Sequence, residues 1–361
     1  MKTKLLRFCV LSLMLYLAAP AAAETEYGRG YDVYTTAAGV ALHGDVLLMT
    51  WPAGANRDER HLVAVDVADP AEPVVLGQLA LEGFPQDLVI ADDLAYIVNG
   101  RDLLVVEIAD LASLRLRHAL RIDDDPLKGP QGIALGDNTA WLACRGGGIK
   151  AVDVSDADAP RIVAAVDVDA FVRGVGVVDD RLYVAGDTRG LFVFDIATPS
   201  QPEQLHHVPA TEGSIGRVRV HDDVAHLAAG NLLVANVLLG NPASPQWAGA
   251  TADRELLTAY FGSYAHALDV GEMDDHETGE TRVIAVVADG ESGLIVADVS
   301  ELANPHYLGG IKGNGGPQVA TGVVLRQITA YVVDESFGLR VVDVSDPEAP
   351  TPLGEGVDLT Q

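Results

Sequence analysis

Cysteine is almost absent from this chain: Cys9 and Cys144 are the only two in 361 residues. That excludes a disulfide framework, a paired-cysteine zinc site and a haem-attachment motif together. Cys144 follows the apolar Trp141-Leu142-Ala143 and reads as a small buried hydrophobe, not a reactive thiol. Lysine is scarce too: only Lys128, Lys150 and Lys312 follow residue 23, so arginine carries nearly all the basic charge. Beyond residue 23 there is no run of about 18 apolar residues, hence no candidate for a membrane-spanning helix. No helical periodicity of any length is visible. Serine nucleophile elbows and phosphate-binding glycine loops are missing. Gly146-Gly147-Gly148 and Gly313-Asn314-Gly315-Gly316 lack the strand-to-helix context of a phosphate cradle.

What the chain has in excess is negative charge, with 52 Asp and Glu against 24 Lys and Arg, a formal net charge of −28. Such a field repels nucleic acid and anionic membrane surfaces. It suits cationic partners, divalent cations, or solubility in salty surroundings.

The N-terminus has the three parts of a secretory signal. Lys2, Lys4 and Arg7 form a positive segment, Leu11 to Ala19 an apolar run, and Ala21-Ala22-Ala23 a small-residue cleavage site before Glu24. Cys9 sits well before the cleavage point and not at it, which argues against a lipid-modified terminus. The expectation is therefore export to the periplasm, the cell surface or the medium, with residues 1–23 removed and no membrane insertion afterwards. Loss of the three positive charges takes the net charge from −28 to −31.

Internal repetition decides the fold. One phrase recurs as Leu62-Val-Ala-Val-Asp66, Ile149-Lys-Ala-Val-Asp153, Leu191-Phe-Val-Phe-Asp195, Leu294-Ile-Val-Ala-Asp298 and Leu339-Arg-Val-Val-Asp343. Degenerate copies at Leu104-Val-Val-Glu107 and Leu233-Val-Ala-Asn236 set steps of 41, 46, 42, 41, 62 and 45 residues. Each phrase is a β-branched run stopped by an Asp/Ser/Pro cluster, the pattern of a strand ending in a turn. A second strand follows, then a small-residue strand and a hairpin whose Asp-Asp pairs (Asp92-Asp93, Asp179-Asp180, Asp222-Asp223) are turns and not metal ligands. Four strands per repeat of about 42 residues, seven times over, predict an all-β, seven-bladed β-propeller of four-stranded antiparallel blades, occupying residues 24–361 as one domain. The small-residue strand, with Gly39, Gly132, Gly174, Gly176 and Gly322, is expected innermost, where strands crowd at the axis. Residues 25–36 either add an edge strand or shift the closure so that both termini share a blade.

The Leu/Val-rich phrase, held in one register over nearly all of residues 30–361, resembles the LVIVD-repeat family of exported and cell-surface proteins. The resemblance implies a propeller and an extracytoplasmic setting but no reaction. The copies at Glu107 and Asn236 depart from it by losing the Asp-Pro turn.

Residues entering each innermost strand converge at one mouth of a propeller's channel. The alignment puts Ala38, Gln86, Gln131, Arg173, Gly216, His266 and Thr321 there, with Arg217 and Gln318 nearby. Gln86, Gln131, Arg173, Arg217 and His266 are the candidate ligand-binding residues, suited to an anionic or neutral-polar ligand through bidentate arginine bonds. The alternative is that they satisfy one another and channel water. An axial metal enzyme needs converging carboxylates, and this ring offers none unless Asp87 or Asp269 turns inward. No catalytic residue, metal ligand or cofactor is therefore assigned.

The long step marks one elaborated blade whose insertion carries Arg254, Tyr260, Phe261 and Tyr264. Tyr260, Phe261 and Tyr264 are candidate partner anchors. Asp274-Asp275-His276-Glu277 lacks the spacing of a calcium loop and reads as a solvated hairpin tip. The function expected is a non-enzymatic recognition or scaffold propeller for a protein or cell-envelope partner. The alternative is a small-ligand-binding or hydrolytic propeller working at the channel mouth.

Overall fold

The computed structural model describes residues 38–53, 59–211, 213–230, 233–240, 244–251, 265–274, 279–313 and 315–360. These residues form a seven-bladed β-propeller. Each blade is an antiparallel sheet whose strands pair in chain order from the axis outwards. The innermost strands of blades 1 to 7 are Val40–His43, Pro85–Ala91, Gly132–Gly136, Gly174–Val178, Arg217–His221, Ala267–Asp274 and Ala320–Arg326. No α-helix occurs among the described residues; one 3₁₀ turn, Pro126–Lys128, is capped by Asp125 between blades 2 and 3.

The repeated phrase has a structural cause. Its Asp closes the third strand and turns the chain, because the carboxylate accepts the backbone N–H two residues on: Ala68 to Asp66 at 2.9 Å, Ser155 to Asp153 at 3.0 Å, Ser345 to Asp343 at 2.8 Å. The Asp-Asp hairpins are two-residue turns, with Asp92, Asp179 and Asp222 at φ near +49°. Between the third and fourth strands the register shifts at one common place, Val193/Phe194 in blade 4 and Asn236/Val237 in blade 5. That shift aligns Asp195 with Leu238, not with Asn236. The strand pairs agree, with Arg181 opposite Asp195 and Val224 opposite Leu238. Two steps of the repeat thus change from 41 and 62 residues to 43 and 60. The amide misled because Asn236 is an interior residue, fully buried against His226 Nδ1 at 2.9 Å.

The core lies between blades. Alternate inner-strand residues Leu88, Ile133, Val175, Val218 and Leu268 each pack against the preceding blade. The ring closes the same way: Val40, Met49 and Val63 of blade 1 pack with Tyr331, Val333 and Val341 of blade 7. Trp51 Nε1 donates to the Asp334 carbonyl across that seam at 3.1 Å. Blade 7 takes its outermost pairing from its own chain end, Thr351–Pro352 and Val357–Asp358. Residues 25–36 lie outside the described residues. Near the axis the small side chains are needed: a Cβ on Gly132 would stand 2.7 Å from the Arg173 carbonyl oxygen, and one on Gly174 2.7 Å from that of Gly216.

Candidate functional site at the channel mouth

Four of the aligned residues share one backbone hydrogen bond, and this fixes the mouth. Gln131, Arg173, Gly216 and His266 each donate their N–H to the alanine ending the second strand of their own blade, at 2.7–3.0 Å. Gln86 and Thr321 occupy the same place in blades 2 and 7, where the register slips by one residue around each of them. The expected residues therefore converge.

Their charges are already answered. One step further into the strand, the residues are Gly39, Asp87, Gly132, Gly174, Arg217, Ala267 and Gly322. Five have no side chain beyond a methyl, and the remaining two are opposite in charge. Arg217, from blade 5, reaches across the axis and donates from Nη1 to Asp87 Oδ2 of blade 2 at 2.6 Å. Its guanidinium also meets the carbonyls of Gln86 at 3.0 Å and Gln131 at 3.3 Å. Asp87 accepts in addition the N–H of Ile133 at 3.1 Å, so one carboxylate and one guanidinium tie blades 2, 3 and 5. The glycines keep this path open: a Cβ on Gly132 would lie 3.2 Å from Arg217 Nη1. The channel cavity beside the pair is about 30 Å³, lined by Ala38, Val40, Val218, Arg219, Leu268 and Val323 among others. That is room for a water or two.

Asp269 also turns inward. It accepts the Leu325 N–H at 2.8 Å and faces Arg219 Nε at 3.3 Å. The alternative left open for Asp87 and Asp269 is thus answered, since both carboxylates are engaged, Asp87 with Arg217 and Ile133 and Asp269 with Leu325 and Arg219. They serve different blade junctions and do not converge on one point.

Around the plug stands a second set of polar groups. With its amide oxygen turned toward Arg145, Gln131 accepts from Nε at 2.7 Å and Nη2 at 2.8 Å. Arg173 lies 3.7 Å from Asp187 and over the Phe171 ring, 5.2 Å from its centroid. Burial, followed by the positive charges of Arg217 and Arg173, lowers the His266 imidazole to about 4. It is therefore neutral and weakly basic at neutral pH. Gln86 is buried at 7 % exposure.

Arg145, Asp187 and the Asp87–Arg217 pairing were not singled out from sequence. The signal for the pair was present, because two opposite charges in a ring otherwise of Gly and Ala have no other partner at that level. Arg145 and Asp187 carry no such signal, since they reach the mouth from turns after the second strand. Tyr260, Phe261 and Tyr264, the expected partner anchors, lie outside the described residues.

Solved structures similar to this chain share its architecture. A Bacteroides fragilis protein provisionally named a 6-phosphogluconolactonase superposes with a TM-score of 0.66 at 10% identity, over 89% of this chain and 97% of that one. A Bacteroides uniformis protein of the same provisional name gives 0.65 at 13%, over 88% and 97%. U3-55K gives 0.60 at 10%, over 85% and 90%. At these identities the likeness is one of fold. No curated protein matches the chain in sequence. The LVIVD-repeat family model matches residues 82–119, 171–208, 285–311 and 322–355, which fall in blades 2, 4, 6 and 7. The chain thus carries four LVIVD repeats, set in the register of a seven-bladed β-propeller.

Proposed function

We propose that this protein is an exported, non-enzymatic recognition or scaffold propeller that binds a protein or cell-envelope partner through one face. The observation that carries this reading is the Arg217–Asp87 pair at the channel mouth, which leaves beside it a cavity of about 30 Å³. Pockets that hold small substrates are about ten times larger. A surface for a partner is offered where the repeat breaks its own rule. Leu238 takes the position of the turn-closing Asp and is 41 % exposed, in a groove lined by Val224, Ser244, Gln246 and Leu302.

The test is capture of partners from envelope extracts by the wild type and by Leu238→Asp. Because Asp is the residue the repeat carries in other blades, the variant is expected to fold normally and to lose the captured partner. Capture unchanged by the substitution removes the groove from the reading. Export is tested by the N-terminus of the secreted chain, expected at Glu24.

A second reading is supported by the converging polar mouth and by the lactonase names of the two Bacteroides structures: small-ligand binding or hydrolysis there. Its chemistry is weak. General bases work best with a pKa near the operating pH, and His266 is held at about 4. Turnover of a phosphorylated sugar lactone that is lost in His266→Ala would put this reading first.

A further inference from the structure

The far end of the inner strands carries a cluster that the channel mouth does not use. His221 ends the inner strand of blade 5, Asp222 opens the turn that follows, and Glu272 lies on the long inner strand of blade 6. The imidazole Nε2 is 3.8 Å from Asp222 Oδ2 and 3.7 Å from Glu272 Oε1. One ligand atom from each of the three lies within 4.8 Å of the other two. These separations exceed hydrogen-bond length. Nε2 is nevertheless shielded from solvent and has no hydrogen-bond partner. The imidazole is 29 % exposed and the carboxylates of Asp222 and Glu272 are 82 % and 59 % exposed, so an ion can reach the cluster from solvent, while Nε2 itself lacks the partner that shielded polar atoms normally have.

A metal ion accounts for the spacing. Ligands held about 2.0–2.2 Å from a tetrahedral ion stand about 3.4 Å apart, within a few tenths of an ångström of the two distances from Nε2. We propose that His221, Asp222 and Glu272 bind one divalent transition-metal ion, with water completing its shell. An imidazole beside two carboxylates suits Zn²⁺ and its neighbours, whereas Ca²⁺ and Mg²⁺ take oxygen ligands. The turn at Asp222 is set by its backbone, which leaves the carboxylate available. Arg219, two residues back on the same strand, has its charge answered by Asp269 at 3.3 Å. The ion would join blades 5 and 6, the junction on which the longest step of the repeat falls.

Because a protein with net charge −28 gathers cations loosely, the imidazole is what separates this site from diffuse attraction. The full chain is titrated with Zn²⁺ against a chromophoric chelator, and Co²⁺ is followed by its visible absorption. One tight equivalent is expected, with affinity falling at least tenfold in both His221→Ala and Glu272→Gln and unchanged in Glu348→Gln, an exposed acid elsewhere. Zn²⁺ should also raise the melting temperature of the wild type and not of His221→Ala. If His221→Ala fails to fold, His221→Gln takes its place in both measurements. Binding of equal strength without the imidazole, displacement by equimolar Ca²⁺, or no stoichiometric equivalent would each overturn the proposal.

Discussion

Two arginines that look alike in sequence have different work in the structure. Arg217 is 15 % exposed and donates to a carboxylate and two carbonyls, whereas Arg173 is 26 % exposed and stands 3.7 Å from Asp187. Removing Arg217 strands Asp87 in a narrow channel, so Arg217→Ala should cost about 2–4 kcal/mol, seen as a lower urea midpoint. Arg173→Ala should cost at most about 1 kcal/mol. A second prediction concerns pH. Burial holds the imidazole of His226 at about 4, below its ordinary 6.5, with its bond to Asn236 pulling the other way. As pH falls through 6.5 the unfolded chain takes up this proton and the folded one does not. Stability should therefore decline from about pH 6.5 to 4 by about 3 kcal/mol for this residue and then level off. Denaturant midpoints across that range should show the decline, and His226→Gln should remove its share and leave the like contribution of His266. Asp153 acts below that window: hydrogen bonds from Ser155 and Arg161 hold it at about 2, so its contribution is lost as pH drops from about 4 through 2. The thiol of Cys144, pushed up to about 12 by burial, should resist labelling until the protein unfolds.

Among the elements, the innermost strands were the most legible, since their glycines and their single register announce both place and direction. Gln86, Gln131, Arg173 and His266 could be brought to one mouth from that register alone. What escaped was any feature that depends on reach or on a break in the repeat. The side chain of Arg217 spans the axis, and no periodicity encodes how far a side chain extends. In blade 5 a buried Asn where an acid was sought moved the alignment by two residues. The same crowding gives an element-scale test. A methyl on Gly132 would meet the Arg173 carbonyl at 2.7 Å and the Gly174 Cα at 2.9 Å, both backbone atoms that cannot swing aside. Gly132→Ala should cost about 1–3 kcal/mol in equilibrium unfolding. An alanine at Gly279, which has open space around it at φ +70°, should register only the strain of its backbone.

For the whole molecule, closure is the property that seven similar sheets cannot secure singly. Trp51 is 3 % exposed, packs with blade 7 residues and donates to Asp334 across the seam. Trp51→Ala should lower stability by about 3–5 kcal/mol while retaining a single transition by circular dichroism. A shoulder at low denaturant would instead mean that the ring can open at this joint without melting elsewhere. The Arg217–Asp87 tie adds a condition on timing. The two residues are 130 positions apart, so during synthesis blades 2 and 3 emerge with a channel aspartate whose cation has not yet been made. Until residue 217 arrives, the early blades lack their charge partner and have little reason to set firmly. The arginine thus works as a late-arriving latch: a ribosome-bound chain shorter than about five blades should stay pliable, and one long enough to present Arg217 should become protease-resistant in a single step.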